Sequence, residues 1–408
     1  MPFLPIYFAF AAGYLLSYLY RTVNAVISPD LVRDLSLNPS SLGLLTSAYF
    51  LAFAAMQVPV GVMLDRFGPR RVEPVLLAIA AGGALLFAFA ESLSGLALAR
   101  AVIGAGVCAC LMAPLKAIAT WYPADRQASY SGWMMVAGGL GALAATVPLE
   151  FALRFTGWRM VFVGLAIVTL AAGLAIAWRV PDIAKPVQSG GIAAQFATVR
   201  IVLLHPRFWW IAPLAGFGMG AFMAIQGLWA VPWLMEVDGA TRASAANHLL
   251  AMNAVIIVGY AAIGFFGTRL ARRNIHARHL FAAGFGLNCA ALAIILLQVP
   301  GSYLWWSLYG LGACVNVLGF TVLNEGFARD ITGRANTTLN LVMFGGSFVT
   351  QWGIGVVVDL MRTAFAFDTA GGLRVAFAAI LFGNAAAYAW FACGWKRHRL
   401  QAPAGAVA

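Results

Sequence analysis

Arg21 is the residue of this 408-residue chain best placed to do chemistry. It stands inside a long apolar run, and Tyr14, Ser17, Tyr18, Asn24 and Ser28 share a helical stripe with it. A guanidinium in such a run costs about 2.5 kcal/mol or more to insert, so it must face a wet cavity or a partner. Its planar fork of donors matches a carboxylate or another oxyanion, and the stripe would hold the rest of such a molecule. A structural pair with Asp30, or outward snorkelling, are the alternatives.

Other polar groups fall on apolar runs with helical spacing. Arg100 and Lys116 lie on one run, about 160° apart at 100° per residue, so a straight helix cannot aim both at one cavity. Arg100 is either a substrate contact or a hydrogen-bonding anchor. Lys116 is close enough to a span end to reach water along its stem. A later run carries Met219, Phe222, Gln226, Trp229 and Trp233 on one face, which makes Gln226 and Trp229 candidate cavity residues. Asn253 and Tyr260, then Trp305, Tyr309 and Asn316, then Asn340, Phe344, Ser347 and Gln351 form further stripes. Hydrogen bonding between helices is the competing role for each amide. No carboxylate stands clearly at mid-span: Glu150, Asp359 and Glu325 sit near span ends, so proton coupling is only a hypothesis. Glu73 is placed at the start of a helix, where negative charge is favoured. His276 and His279 lack a third ligand nearby, and no nucleophile elbow, metal spacing or phosphate loop occurs. Neither an enzyme, a metal site nor a cofactor is expected.

The elements that must position these groups are membrane helices. The chain is 62% hydrophobic and 10% charged, with a mean hydropathy of +0.85, far from the roughly 25% charged residues of soluble domains. Twelve spans are expected near residues 4–28, 40–64, 72–91, 94–119, 128–152, 158–179, 207–235, 244–269, 277–298, 302–327, 335–361 and 371–395. The first is read as a span and not a leader, because no basic residue precedes it and Arg21 lies within it. The net charge of +12 is spread over short turns, which argues against a nucleic-acid partner and for the positive-inside rule. Most Lys and Arg fall on one side; the other holds only Arg33, Arg154, Arg159, Arg242, Arg362 and Arg374. Both termini are therefore expected in the cytoplasm. Cys108, Cys110, Cys289, Cys314 and Cys393 sit in apolar segments and imply no disulfide framework. The stretch 181–206, with Pro181, Pro186, Gly190 and Gly191, reads as a cytoplasmic linker with a short amphipathic helix. It would join a half at 1–180 to a half at 207–398, followed by a tail at 399–408.

The halves echo one another. Gly61-Val62-Met63-Leu64-Asp65-Arg66-Phe67-Gly68-Pro69-Arg70-Arg71 closes span 2, and Ile263 to Arg273 repeats the run from Val60 to Arg70 after span 8. The second copy has Thr268 for the aspartate and Ala271 for the turn glycine. Arg126 and Arg329 match at the same separation. Parallel six-span repeats mark one transporter architecture.

The Gly61–Arg71 stretch resembles the signature of the major facilitator superfamily. Arg100-x-x-x-Gly104-x-Gly106 resembles its span-4 motif. Trp121-Tyr122-Pro123 with Asp125-Arg126 resembles the loop that follows, and Gly157-Trp158-Arg159 the turn before span 6. The resemblance implies an all-α membrane protein of twelve helices in two pseudo-symmetric halves, working as a monomeric secondary transporter in a cell inner membrane. Tyr18-Leu19-Tyr20-Arg21 resembles the organic-anion branches. That implies a small anionic substrate, with proton-coupled uptake as one possibility, held among Arg21, Tyr18, Asn24, Arg100, Gln226, Trp229, Asn253, Asn316 and Gln351. Gly61, Asp65, Arg66, Gly68, Arg70, Arg71 and Arg126 would form the gating motif, with Asp65 reaching Arg126 or the start of span 11. The alternative is an efflux antiporter for lipophilic compounds, whose span-5 signature is weakened here: Gly132, Gly138, Gly139 and Gly141 cluster, but Pro148 comes late. A membrane sensor or assembly subunit is a third reading.

Overall fold

The computed structural model describes residues 3–121, 124–182, 199–273, 275–325, 327 and 332–399. Residues 183–198 of the expected linker, Tyr122, Pro123, Arg329 and the tail after Arg399 lie outside the described residues, as does the side chain of Arg126. The regular structure described is entirely helical. In hydrocarbon a backbone must satisfy its own hydrogen bonds, and a helix does so within one segment.

Nine helices among the described residues are long and apolar enough to cross a membrane, and a tenth is the pair Pro39–Ala55 and Gln57–Phe67, bent by 46°. Phe3–Leu35 takes the first place, and Leu93–Gly106 with Met112–Trp121 the fourth. The element order thus follows the twelve expected spans. Starts and stops follow local chemistry. Asn38 caps span 2 by accepting the Ser41 N–H at 2.8 Å, with Pro39 in the first turn. The turn between spans 2 and 3 rests on Gly68 at φ 77°, a conformation glycine adopts without strain, and Pro69 opens the next helix.

Helix pairing repeats with a period of six spans. Span 1 packs on spans 5 and 6, span 2 on 4, and span 3 on 4 and 6. Likewise span 7 packs on 11 and 12, span 8 on 10, and span 9 on 10 and 12. Spans 2 with 11, 5 with 8, and 1 with 7 join the two sets. Small residues set the close approaches: Gly104 lies against the Tyr49 backbone of span 2, and Gly141 against the Leu15 backbone of span 1.

Besides the bend in span 2 and a break in span 5 between Ala144 and Val147, three further spans are interrupted among the described residues. Span 4 loses helical form between Gly106 and Met112, span 7 takes a π turn over Ile225–Trp229, and span 10 tightens to 3₁₀ over Cys314–Val317. Glu73 corrects the sequence reading. It lies a full turn inside span 3 with no exposed surface, and both carboxyl oxygens lack a hydrogen-bond partner. Because Pro69 starts the helix, Glu73 turns inward toward spans 1 and 4, where Gly13 and the Cys110 thiol stand beside it.

Candidate functional site

A cavity of about 450 Å³ lies between the two sets of spans. Its wall is built from spans 1, 2, 4, 5, 7, 8, 10 and 11, and Arg21 is the one charged side chain among the described residues lining it. Arg21 is 5% exposed. Its guanidinium carbon stands 4.4 Å from the ring centre of Tyr18, 5.1 Å from Phe344 and 5.4 Å from Phe53, and its Nε has no partner. Ring faces stabilise a cation where water is scarce, yet they accept none of its N–H bonds in the plane of the fork. The Tyr49 side chain also meets the guanidinium, and the unpartnered Nε–H is the donor left to an entering oxyanion.

The rest of the wall is soft and weakly polar. Met112, Met135, Met219, Met223 and Met343 line it together with Tyr14, Tyr260 and Phe320. Amides enter from several sides: Asn316, Asn336 and the pair Asn340 and Gln57, hydrogen-bonded at 2.9 Å between spans 11 and 2. The break in span 4 contributes as well. Val107 and Cys108 face the cavity, and the Val107 carbonyl accepts the Ser17 hydroxyl at 3.4 Å. Cys110, two residues on, faces Glu73 on the other side of the same break. The two thiols are free and diverge, as their spacing implied.

The cavity extends past Leu115, Gly333 and Thr337 toward the face at which span 1 begins, here termed the near face. Toward the far face the seam is shut. Arg242 at the start of span 8 holds Asp30 of span 1 at 2.6 Å, and the Ser40 N–H of span 2 donates to Asp359 of span 11 at 2.8 Å. Between these ties and the cavity, the Trp229 indole donates to the Gln351 carbonyl at 2.9 Å, with Gly43 packed against both residues.

Of the nine residues expected to hold substrate, Arg21, Tyr18 and Asn316 line this cavity. Asn24 instead donates to Thr46 at 3.0 Å. Gln226 and Asn253 bond each other at 2.6 Å, and Trp229 and Gln351 belong to the far-side plug. Arg100 is fully buried against the Tyr49 ring and donates to the Tyr20 carbonyl at 2.8 Å, tying span 4 to spans 1 and 2. The π turn explains the loss of the span-7 stripe. Met219 and Met223 face the cavity, but the extra residue per turn after Ala224 swings Gln226 aside. Gln57, Asn336 and Thr337 were missed. Gln57 carried a signal, being an amide within an otherwise apolar run.

At the near face Asp65 pairs with Lys116 of span 4 at 2.5 Å. Arg70 and Arg71 reach Asp182 at 3.8 and 3.1 Å, while Arg66 lies over the Phe67 ring. Gly61 is half-buried on span 2, and Gly68 makes the turn. Glu150 pairs with Arg154 and Glu325 with Arg207, at 3.0 and 3.5 Å.

Residues 10–351 match the family model described as Major Facilitator Superfamily. The hexuronate transporter of Escherichia coli (strain K12) is 33% identical over 134 residues, 32% of this chain and 30% of that protein. The probable sulfoacetate transporter SauU of Cupriavidus necator is 33% identical over 119 residues, 29% of this chain and 28% of that protein. The chain thus spans less than a third of the length of either relative. The membrane sensor protein UhpC of Salmonella typhimurium is 22% identical over 384 residues, 85% of this chain and 84% of that one. Among solved structures, a bacterial homologue of the human lysosomal transporter Spinster, inward-facing and unoccupied, superposes with a TM-score of 0.79. It is 19% identical and covers 98% of both chains, a likeness of fold.

Proposed function

Because the chain belongs to the Major Facilitator Superfamily, we propose that it carries a small organic anion across the membrane by alternating access. The observation that carries this reading is Arg21: a guanidinium, unpartnered at Nε, as the one charge lining a 450 Å³ cavity among the described residues. That volume lies within the range of small-molecule sites. Hexuronate and sulfoacetate, the cargoes named for two relatives, are both small anions. The fork would hold the carboxylate or sulfonate, and Tyr18, Asn316 and the Gln57–Asn340 pair would read the remainder. The methionines would fill around its carbon frame.

In this reading the segments 1–180 and 207–398 rock against each other across the 181–206 linker. The near face is cytoplasmic, by its Lys and Arg excess, and the cell inner membrane houses the chain with both termini inside. The far-side residues Asn24, Gln226, Trp229, Asn253 and Gln351 would meet substrate when the far seam parts. Glu73 is the candidate for a coupling proton. Its carboxyl has no exposed surface and stands beside the Cys110 thiol at the span-4 break, whose residues Val107 and Cys108 line the cavity.

Purified protein in liposomes, screened for uptake of hexuronates and sulfonates, tests the assignment. Arg21→Ala should abolish uptake while folded protein still inserts. Losing one charge-assisted fork, about 3 kcal/mol, corresponds to a loss of roughly 100-fold in affinity. Undiminished anion uptake by that variant would sink the reading. A drug-resistance assay separates the efflux alternative, which an apolar, Met-rich wall would also suit. The likeness to UhpC favours a sensing role as a second reading. A sensor would bind anion with the same dependence on Arg21 yet move none across the bilayer.

A further inference from the structure

The two copies of the repeat end differently at the near face. In the first, Asp65 and Lys116 tie the end of span 2 to span 4 at 2.5 Å, and Asp182 lies against Arg70 and Arg71. In the second, Thr268 and Gly319 stand at the matching positions, so no charged tie can join span 8 to span 10 there. The basic side of the motif is nevertheless kept: Arg269 and Arg273 match Arg66 and Arg70, and Arg272 replaces Pro69.

Where the tie is missing, spans 8, 9 and 10 leave a cleft of about 850 Å³, larger than the central cavity. Gly259, Ile263, Gly284, Leu311 and Val315 give it an apolar floor. Arg269, Arg272 and Arg273 form its mouth, all exposed, with Arg269 also over the Phe266 ring. No acidic side chain lines it among the described residues. An apolar slot at membrane depth ending in three guanidinium groups, with no ion pair to them among the described residues, complements the acyl chain and charged head of an anionic lipid.

We propose that this cleft binds an anionic phospholipid, with an acyl chain along the floor and the phosphodiester across Arg269, Arg272 and Arg273. Each arginine fork donates paired N–H bonds to phosphate oxygens, and basic pockets between spans are suited to such head groups. The lipid would bridge spans 8 and 10 as Asp65 and Lys116 bridge spans 2 and 4.

Native mass spectrometry of the full chain, titrated with phosphatidylglycerol or with phosphatidylcholine of the same acyl chains, tests the proposal. The intact protein should retain phosphatidylglycerol in preference by at least about tenfold, given three basic contacts. The variant R269Q/R272Q/R273Q should bind the two lipids alike. Ala262→Trp, which fills the slot and keeps every arginine, should lose phosphatidylglycerol while its melting temperature in detergent without lipid stays unchanged. Equal retention of both lipids by the unaltered protein overturns the proposal, as does full phosphatidylglycerol binding by Ala262→Trp or by a folded triple variant.

Discussion

Arg21 keeps a charge inside the bundle because three ring faces surround it, and its Nε is left without a hydrogen-bond partner. That residue was legible in the sequence, since a charge in an apolar run has few tolerable locations. Glu73 was not legible: four residues beyond Pro69 it looked like a helix-end carboxylate, and only packing against Gly13 and Cys110 shows it to be inside. Glu73→Gln keeps the shape and removes the proton. With the coupling role proposed above, anion uptake driven by an imposed pH gradient should disappear in liposomes, while exchange of anion for anion without a gradient should continue. A wild-type response of this variant to the gradient excludes Glu73 as the coupling site. Arg100, by contrast, acts through the framework. Its bond to the Tyr20 carbonyl fixes the turn of span 1 that carries Arg21.

At the scale of elements, hydrophobic period located the spans, but the interruptions within them decide which side chains meet. A π turn leaves no mark on apolar periodicity, so Gln226 and Trp229 read as cavity residues and instead pack away from it. The 107–111 break in span 4 is likewise unmarked, although the divergence of Cys108 and Cys110 follows from their spacing alone. Gly141 sits directly against the Leu15 backbone, so spans 1 and 5 touch with no side chain between them. Gly141→Leu should separate that pair and displace the turn bearing Tyr14 and Tyr18. Overpacking of this kind costs about 1–3 kcal/mol, and a lowered melting temperature with weakened substrate protection would register it. An unchanged melting temperature would show that the pair can part without penalty.

At the scale of the whole molecule, the structure is open at the near face and tied at the far face by Arg242–Asp30 and by Ser40–Asp359. Asp65 pairs with Lys116 within its own set of spans, whereas Arg242–Asp30 joins the two sets. Arg242→Gln should shift the population toward far-face opening. Spin labels at the exposed positions Thr156 and Thr241 should report a longer distance component in the variant than in the unaltered protein. Identical distance distributions would assign the closure to the apolar plug around Trp229 instead.

The methionines of the cavity wall carry one more consequence. Met112, Met135, Met219, Met223 and Met343 give the pocket an unbranched, polarisable lining that re-forms around guests of different outline at little cost. Selection would then rest on the sign and position of one charge more than on contour, and anions of unequal size would compete for the same seat. The same sulfur atoms open a chemical vulnerability. Oxidation to sulfoxide would turn a pliant wall into a polar one, so that an oxidising burst could narrow what the pocket admits without touching Arg21.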